Sequence, residues 1–362
     1  MEAQIVETLN ITQKVGWLPW AVQYFFLIGI CYCSFLLSLP GVVFKKPQWK
    51  VPSNYALILM LTCGLIAPVA LLADLHQPGR FMNFYLHFQK TSWMSWGSIF
   101  LVFYIAWMVI YGFLALQPLL KESAATEHRY SKIAGFLALR SQPKQGLITF
   151  AAALAFIGAV LVMVYTGMEV AVIKSRPMWN NFAVPIQFAL TAMAGAAGAA
   201  LILNFFTANR NNRMVTTPLV KVIFWTQLAI VIVGGIWLLL GFTGIDPRIA
   251  QAMSLLTFIN QWELFTIVGV TIIFATLLLA WRFPGNGLLL GLLTVITVWM
   301  FRWTVFMGGQ EIPKTGAGSY SYTLPWGPDG LLGIVGTLGL CIFVYIVITS
   351  LVPLRQLELE EN

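Results

Sequence analysis

The chain has 362 residues, of which 59% are hydrophobic and only 9% are charged. Soluble proteins carry about 25% charged residues, so this composition excludes a soluble globular domain and indicates a protein embedded in a lipid bilayer. The net charge of +8 is therefore read as a signal of membrane orientation, because no cluster of basic and aromatic residues indicates nucleic-acid binding.

A helix needs about 20 apolar residues to cross a bilayer, and nine runs of the sequence meet this requirement. They predict an all-α, polytopic integral membrane protein with about nine transmembrane helices in a single membrane domain. We expect the first run to be a membrane anchor and not a cleavable signal, because no basic run precedes it. The long, semi-apolar linker 243–262 predicts a short helix at the surface. The predicted spans are 17–39, 54–73, 95–116, 147–173, 184–206, 219–242, 263–281, 287–306 and 330–352.

The distribution of lysine and arginine predicts how the chain is oriented. The loops after the first, third, fifth and seventh spans and the C-terminal tail, counted together with the adjoining span ends, hold 13 basic residues, against 8 on the other side. Since cytoplasmic loops carry the excess of positive charge, we expect the N-terminus outside and the C-terminus inside. This orientation puts residues 74–97 on the outer face.

Residues 74–97 form a polar corner between the second and third spans. The corner contains two of the three histidines, His76 and His87. Trp93 and Trp96 at its end predict a membrane-water boundary at the start of the next span. Two interpretations of the histidines remain open, which are interfacial hydrogen bonding and proton exchange near neutral pH.

Ionisable residues inside a span are candidates for function, because burying a charge in a bilayer is costly. Glu169 lies near the outer end of the fourth span, and Tyr165 shares its helix face four residues earlier. A phenol and a carboxyl group would offer a small polar ligand a donor and a proton acceptor. Alternatively, Glu169 reaches the interface and pairs with Lys174 or Arg176.

Two further charged side chains lie at the outer ends of spans. Asp74 ends the second span, where the helix dipole disfavours a negative charge, so we expect a partner, with Arg80 or His76 nearest. Arg302 near the end of the eighth span is expected to point into the bundle or into a watery crevice. The alternative for Arg302 is an outward, snorkelling side chain.

The sequence predicts no redox metal in this chain. The histidines, including His128, all lie in loops or at helix edges, whereas a transmembrane haem is held by histidines that project from helices. The four cysteines fall inside apolar runs without the spacing of cluster ligands. We therefore expect neither haem nor an iron-sulfur cluster.

Several segments in a fixed order carry a resemblance to a known family. They are Asp-Leu-His-Gln-Pro-Gly-Arg-Phe (74–81) with Thr-Ser-Trp-Met-Ser-Trp-Gly (91–97), Tyr-Thr-Gly (165–167), Arg-Pro-Met-Trp-Asn (176–180) and Arg-Trp-Thr-Val-Phe-Met-Gly-Gly-Gln (302–310). This set resembles the motifs of the NrfD-like membrane subunits, the polysulfide reductase membrane-anchor family. The ninth span and residues 308–316 are most similar to members of the tetrathionate reductase type.

The resemblance implies two four-helix bundles, 17–173 with a quinone site and 184–306, with 330–352 as an additional helix. It implies a subunit of the bacterial inner membrane that oxidises menaquinol or ubiquinol and holds no redox cofactor of its own. Its partners would be a four-cluster iron-sulfur subunit on the periplasmic face and a molybdopterin catalytic subunit that this subunit feeds. Such a chain belongs to an oxidoreductase complex without carrying its catalytic centre.

The expected site combines the residues with the resemblance. We expect Tyr165, His76 and Gln23 to bind the quinone, and Asp74 and Glu169 to relay protons outward. These five converge only if the first, second and fourth spans pack together, which the resemblance suggests. The family has mostly apolar residues at the position of Glu169, so the role of Glu169 is not inherited. A structural or secondary polar site is expected from Arg80, Arg176, Arg302 and Gln310, and partner docking from Phe81, Phe84, Tyr85, Tyr320, Tyr322 and Trp326 with Arg80 and Lys314.

Two other classes of function remain possible on the sequence alone. A secondary transporter would suit nine helices with sparse buried charges, but it should show paired interrupted helices near the middle of the bilayer. A passive membrane anchor would explain the apolar mass but not Tyr165, Glu169 and Arg302. The terminal substrate and the direction of electron flow are not encoded in these patterns.

Overall fold

A computed structural model describes residues 15–126, 129–207, 213–258, 260–311 and 322–352. All regular structure in these ranges is helical, which confirms the predicted fold class. The nine long helices are α1 (Pro19–Val42), α2 (Lys50–Asp74), α4 (Trp93–Ala115), α7 (Gln145–Ala171), α8 (Ala183–Thr207), α9 (Arg213–Phe242), α11 (Asn260–Arg282), α12 (Gly287–Trp303) and α14 (Leu331–Leu351).

The shorter helices lie in the connections. The linker after α9 contains α10 (Pro247–Phe258), which confirms the short helix predicted there. The end of α12 continues through a π-helical turn (Thr304–Gly308) into α13 (Gly309–Glu311). The remaining short helices are α3 (Asn83–Leu86), α5 (Gln117–Ala125) and α6 (Ser131–Leu137).

All nine predicted spans correspond to helices long and apolar enough to cross a membrane within the described residues. Each of these helices contains an 18-residue stretch with a mean hydropathy of at least 1.8. Such values are typical of helices that are apolar around most of their circumference. Local signals set several ends. Pro19 occupies the first turn of α1, and the hydroxyl of Ser92 accepts a hydrogen bond from the Ser95 N–H at the start of α4.

The long helices pack as two neighbouring groups. α1 packs against α2 and α7, and α4 packs against α7 and α2, whereas α8 packs against α9 and α12, with α11 against α9 and α12. Contacts of α8 with α1, α2 and α7 join the two groups. Glycines allow the closest approaches: a Cβ atom at Gly291 of α12 would lie 2.6 Å from the carbonyl oxygen of Gly198 in α8.

The ninth helix lies on the first group. α14 packs mainly against α2, with further contacts to α1 and α6. Only 11% of the most apolar 18-residue stretch of α14 is buried. The rest of α14 faces outward, as expected for a helix at the lipid boundary. The sequence left the place of this helix open.

Because the long helices alternate in direction, one end of the molecule collects the polar motifs. At this end α1, α4, α8, α11 and α14 begin and α2, α7, α9 and α12 end. We call it the motif face and the other end the opposite face.

Candidate functional site

A cavity of about 220 Å³ opens at the motif face in the first helix group. Residues of α1, α2, α4 and α7 and of the segment between α2 and α4 line it. Most of this lining is aromatic or aliphatic. The polar side chains in the lining are Tyr24, Asp74, His76, Tyr85, Ser98, Tyr165 and Glu169.

Tyr24, Tyr165 and Glu169 form the buried wall of the cavity. Their side chains are 0%, 3% and 8% exposed, and the three groups interact electrostatically. The Tyr24 hydroxyl nevertheless has no hydrogen bond of normal geometry in the described part of the chain. The Tyr165 side chain is one of its polar neighbours, and a ligand in the cavity would give the Tyr24 hydroxyl a well-aligned partner.

Glu169 faces this cavity and not the interface. Within the described residues it forms no salt bridge, and Lys174 is exposed. The guanidinium of Arg176 donates instead to the carbonyl oxygens of Gly309 and Gln310, at 3.3 and 2.8 Å. The alternative pairing of Glu169 with Lys174 or Arg176 is therefore wrong.

A glycine makes room for the Tyr165 ring. A Cβ atom at Gly97 in the first turns of α4 would lie 2.1 Å from two atoms of that ring. Such a contact is far below van der Waals distance. Gly97 of the sequence motif is thus a packing requirement of the cavity.

Asp74 stabilises the start of α1. Its Oδ1 accepts a hydrogen bond of 2.9 Å from the Leu18 N–H, and the carboxylate also faces the Ala21 N–H. A negative charge beside the N-terminus of α1 is favourable, which compensates for its unfavourable position at the end of α2. His76 adds an electrostatic attraction, whereas Arg80 is exposed and forms no salt bridge in the described chain. Of the two partners expected for Asp74, Arg80 is therefore not its partner.

Gln23 does not line the cavity. Its Oε1 accepts a hydrogen bond of 3.4 Å from the Trp299 indole, so the side chain faces the second helix group. The neighbouring Tyr24 takes the place expected for Gln23. Trp17, Ala21 and Tyr24, at intervals of four and three residues, all line the cavity, but nothing in the sequence marks this side of α1 over the side that carries Gln23.

Of the two histidines in the polar corner, only His76 lines the cavity. His76 lies exposed at the edge of the cavity, and His87 is exposed in the segment after α3. His128 lies outside the described residues. The described residues contain no group of three or more His, Cys, Asp or Glu side chains that could hold a metal ion.

Arg302 is buried between the two helix groups. Its side chain is 1% exposed and lies over the ring of Phe188, 4.4 Å from the centroid. The guanidinium donates to the hydroxyl of Thr191 and, at 2.9 Å, to the carbonyl oxygen of Phe188. Arg302 thus points into the bundle, and the snorkelling alternative is wrong.

Arg176 and Gln310 support the cavity from outside. The Gln310 Oε1 accepts hydrogen bonds of 2.9 Å from the N–H groups of Gly16 and Trp17, and its Nε2 donates to the Trp17 carbonyl. Arg176 binds the last carbonyls of the same helix end, where a cation is favoured. Burial lowers the pKa of the Arg176 guanidinium. Gly16 and Trp17 line the cavity. Gln310 therefore holds part of the cavity wall in place, and Arg176 holds Gln310 through its backbone carbonyl.

Sequence reasoning missed Glu311. This side chain is buried, and its carboxylate accepts hydrogen bonds from the Trp262 indole at 2.6 Å and from the Tyr322 N–H at 3.0 Å. It therefore connects α11 and the segment before α14 to the end of the π turn. Its position beside Gln310 in the motif was the available signal.

Comparisons with known proteins agree with this architecture. The family model described as "Polysulphide reductase, NrfD" matches residues 7–314. One of the tetrathionate reductase subunits of Salmonella typhimurium is 34% identical over 353 residues, which cover 95% of this chain and 94% of the relative. One of the selenate reductase subunits of Mesobacillus selenatarsenatis is 26% identical over 393 residues, with coverage of 97% and 89%.

A third relative, Protein NrfD of Escherichia coli, is 24% identical over 306 residues, covering 79% of this chain and 92% of the relative. The region matched by the family model includes residues 74–97, 165–180 and 302–310. With nine long apolar helices in the part that the structure describes, the chain is a multi-pass membrane protein that belongs to the NrfD, or polysulphide reductase, family.

Proposed function

We propose that this chain is the quinol-oxidising membrane subunit of a respiratory oxidoreductase complex. The observation that carries the proposal is the cavity at the motif face, in which two carboxyl groups and two buried phenols converge within an otherwise apolar lining. A quinol needs an apolar pocket for its ring, polar groups at its oxygens and acceptors for two protons. Menaquinol and ubiquinol both meet this description.

The names of the relatives indicate the kind of complex to which the chain could belong. Two of them are named as subunits of a tetrathionate reductase and a selenate reductase, which supports membership in a reductase complex of that type. We propose an iron-sulfur partner with four clusters at the motif face and a molybdopterin catalytic subunit beyond it. The electrons need a short path, which favours docking at the end of the molecule where the cavity opens.

The residues of the cavity suggest a division of work. Tyr165 or His76 would bind a quinol oxygen, and Tyr24 would offer a second hydroxyl. As the quinol loses two electrons to the partner, its two O–H bonds break, and Glu169 and Asp74 receive the protons. Glu169 lies on the buried wall, and Asp74 and His76 lie nearer the mouth, so the protons would leave toward the motif face.

Substitutions in the cavity test this proposal. Glu169→Gln removes a proton acceptor but keeps the side-chain volume, so quinol oxidation should fall by about 10²-fold or more. Tyr165→Phe removes one hydrogen bond to a reacting oxygen, and the rate should fall roughly two- to tenfold. Turnover would be measured with a quinol analogue in membranes, and a dye assay of the catalytic partner would report assembly.

Tyr111→Phe is the matched control. Tyr111 is equally buried in α4, but its hydroxyl lies 2.8 Å from the Ser38 hydroxyl and does not line the cavity. Its quinol oxidation should stay close to wild type. Wild-type turnover in both Tyr165→Phe and Glu169→Gln would put the reacting quinol elsewhere in the molecule.

We also propose that the motif face lies on the periplasmic side of a bacterial inner membrane, with the N-terminus outside and the C-terminus inside. The 13 to 8 distribution of basic residues supports this orientation. Alkaline phosphatase fused at Arg140, at the opposite face, should be inactive. An active fusion at that position would reverse the orientation and the docking side with it.

A further inference from the structure

A second cavity lies in the second helix group at the same end of the molecule. Its volume is about 200 Å³, and residues of α8, α9, α11 and α12 line it. Two glycines on different helices contribute to the open space, Gly234 of α9 and Gly269 of α11. A Cβ atom at Gly269 would meet only the Met300 side chain, at 3.9 Å, within 4 Å. The space is therefore present without any displacement of the helices.

The lining of this second cavity suits a neutral ring with an apolar tail. Trp237, Phe265 and Phe301 contribute aromatic rings, and Met178 and Met300 contribute thioethers, which adapt to flat or irregular apolar ligands. No Asp, Glu, His, Lys or Arg is among the described residues that line it. None of these described lining side chains could therefore accept a proton from a bound quinol at physiological pH.

One polar atom in the lining stands out. The Gln187 side chain is 7% exposed, and its Nε2 donates a hydrogen bond of 3.0 Å to the Ile230 carbonyl oxygen. Its Oε1 is buried and has no partner in the described part of the chain. By contrast, the side chains of Asn181 and Thr297 in the same lining make hydrogen bonds to nearby backbone atoms. Because an unpaired buried acceptor is costly, Gln187 offers a place for a ligand hydroxyl group.

The two cavities are separated by a wall of aromatic rings. Phe25 lines the first cavity, and its ring packs against Phe306 at a centroid distance of 4.5 Å. Phe306 follows Val305, which lines the second cavity. The two cavities are therefore neighbours, on either side of the junction of the helix groups.

We propose that the second cavity binds a second quinol molecule without oxidising it. The ring would lie among the aromatic and methionine side chains, and one quinol hydroxyl would donate to the Gln187 Oε1. Since the described lining offers no proton acceptor, the bound quinol keeps its protons and electrons, and the site serves as a holding site beside the reacting one. The identity of the ligand rests on the proposed function; the cavity and its open acceptor do not.

Photolabelling can test this inference on the assembled complex in nanodiscs. The probe is a quinol analogue that carries an azido group, and labelled peptides are identified by mass spectrometry. Two labelled regions are expected, one around Tyr85 and Met94 in the first cavity and one around Trp237 and Phe265 in the second. Gly269→Phe fills the second cavity and should remove at least about nine-tenths of its label while the first cavity remains labelled.

Gly235→Phe is the matched control, because Gly235 neighbours Gly234 on α9 but is exposed, has no atom within 4 Å of a Cβ position and does not line the cavity. It should keep both labels. Gly234→Phe is an independent filling variant if Gly269→Phe does not assemble. A Cβ atom at Gly234 would meet only Gln187 Nε2, at 3.7 Å, within 4 Å.

The outcomes separate this inference from the proposed function. Absence of label around Trp237 and Phe265, or label there that survives both filling variants, overturns the second site. Label from a photoreactive phospholipid that excess quinol does not displace also overturns it and indicates an acyl-chain site. Label in the second cavity with none in the first would instead contradict the proposed quinol oxidation at Tyr165 and Glu169.

Discussion

The carboxyl groups of Asp74 and Glu169 line the same cavity but have different surroundings. Glu169 forms no salt bridge in the described part of the chain, and its neighbours on the buried wall are phenols, so its carboxyl group can accept a proton from a ligand. Asp74 is held by the Leu18 N–H, so it has a structural task whether or not a ligand is present. Substitutions at the two positions should therefore have different effects on stability.

At Gly97 a single methyl group should disturb the cavity. Gly97→Ala places a Cβ atom 2.1 Å from the Tyr165 ring, so the ring must move, at a cost of roughly 1–3 kcal/mol for overpacking. We expect weaker quinol binding, seen as a higher KM for the quinol analogue with the complex still assembled. Gly79→Ala, where a Cβ atom meets nothing within 4 Å, is the control. An unchanged KM in Gly97→Ala would mean that the ring position does not matter for binding.

The helices of the motif face are held by side chains from other helices. α1 has no side-chain cap of its own; Asp74 of α2 supplies one, and Gln310 binds the backbone of Gly16 and Trp17 just before α1. At the π turn, the Val305 carbonyl oxygen accepts a hydrogen bond of 2.5 Å from the Trp179 indole. Such turns are frequent at functional sites, and here the turn joins the second helix group to the wall of the first cavity.

Two substitutions at Asp74 separate its role as a helix cap from its role as a proton acceptor. Asp74→Asn keeps an oxygen for the Leu18 N–H but loses the negative charge, so thermal stability should stay near wild type while quinol oxidation falls at least about tenfold. Asp74→Ala loses both, and stability should fall by a further ~1 kcal/mol. Thermal unfolding in detergent and quinol turnover would be measured on both variants. Equal turnover in Asp74→Asn and wild type would remove Asp74 from the proton route.

At the scale of the whole molecule, the polar chemistry is concentrated at one end. The described long helices contain one π-helical interruption, and it lies at the motif face. A secondary transporter would instead be expected to have paired interruptions near the middle of the bilayer. A passive anchor would not need the cavity at the motif face, which supports the proposed quinol site.

The motif face also offers a surface for a partner. Phe81, Tyr85 and Leu86 are 39%, 42% and 71% exposed beside the exposed Arg80. Tyr322 and Trp326 lie in the segment before α14, whereas Tyr320 and Lys314 lie outside the described residues. Aromatic side chains with an arginine are the residues enriched at protein interfaces, so we keep the prediction that the iron-sulfur partner docks here.

Charge reversal would test this docking surface. Arg80→Glu combined with Lys90→Glu should lower the association rate of the iron-sulfur partner by roughly tenfold or more at low salt, and the difference should shrink as salt is added. Arg140→Glu with Lys144→Glu makes the same change at exposed positions on the opposite face and should have little effect. Association would be followed by surface plasmon resonance or pull-down. Equal effects of the two pairs would argue against docking at the motif face.

The number of spans, the helical fold and the end of the molecule that carries the polar motifs could all be predicted from the sequence. These features follow from local patterns. Long apolar runs are sufficient to predict membrane helices. The position of a residue near the end of a run also sets its depth, which is how Asp74, Tyr165 and Glu169 could be expected at one level.

Which side chains meet one another depended on the packing of the helices in three dimensions. In a soluble helix the apolar stripe shows which face is buried, but a membrane helix is apolar all round, since lipid tails are as apolar as the core. Gln23 and Tyr24 could therefore not be told apart from their own surroundings in the sequence. For the same reason, the N–H partner of Asp74, the inward direction of Arg302 and the place of α14 against α2 depended on helices distant in the chain.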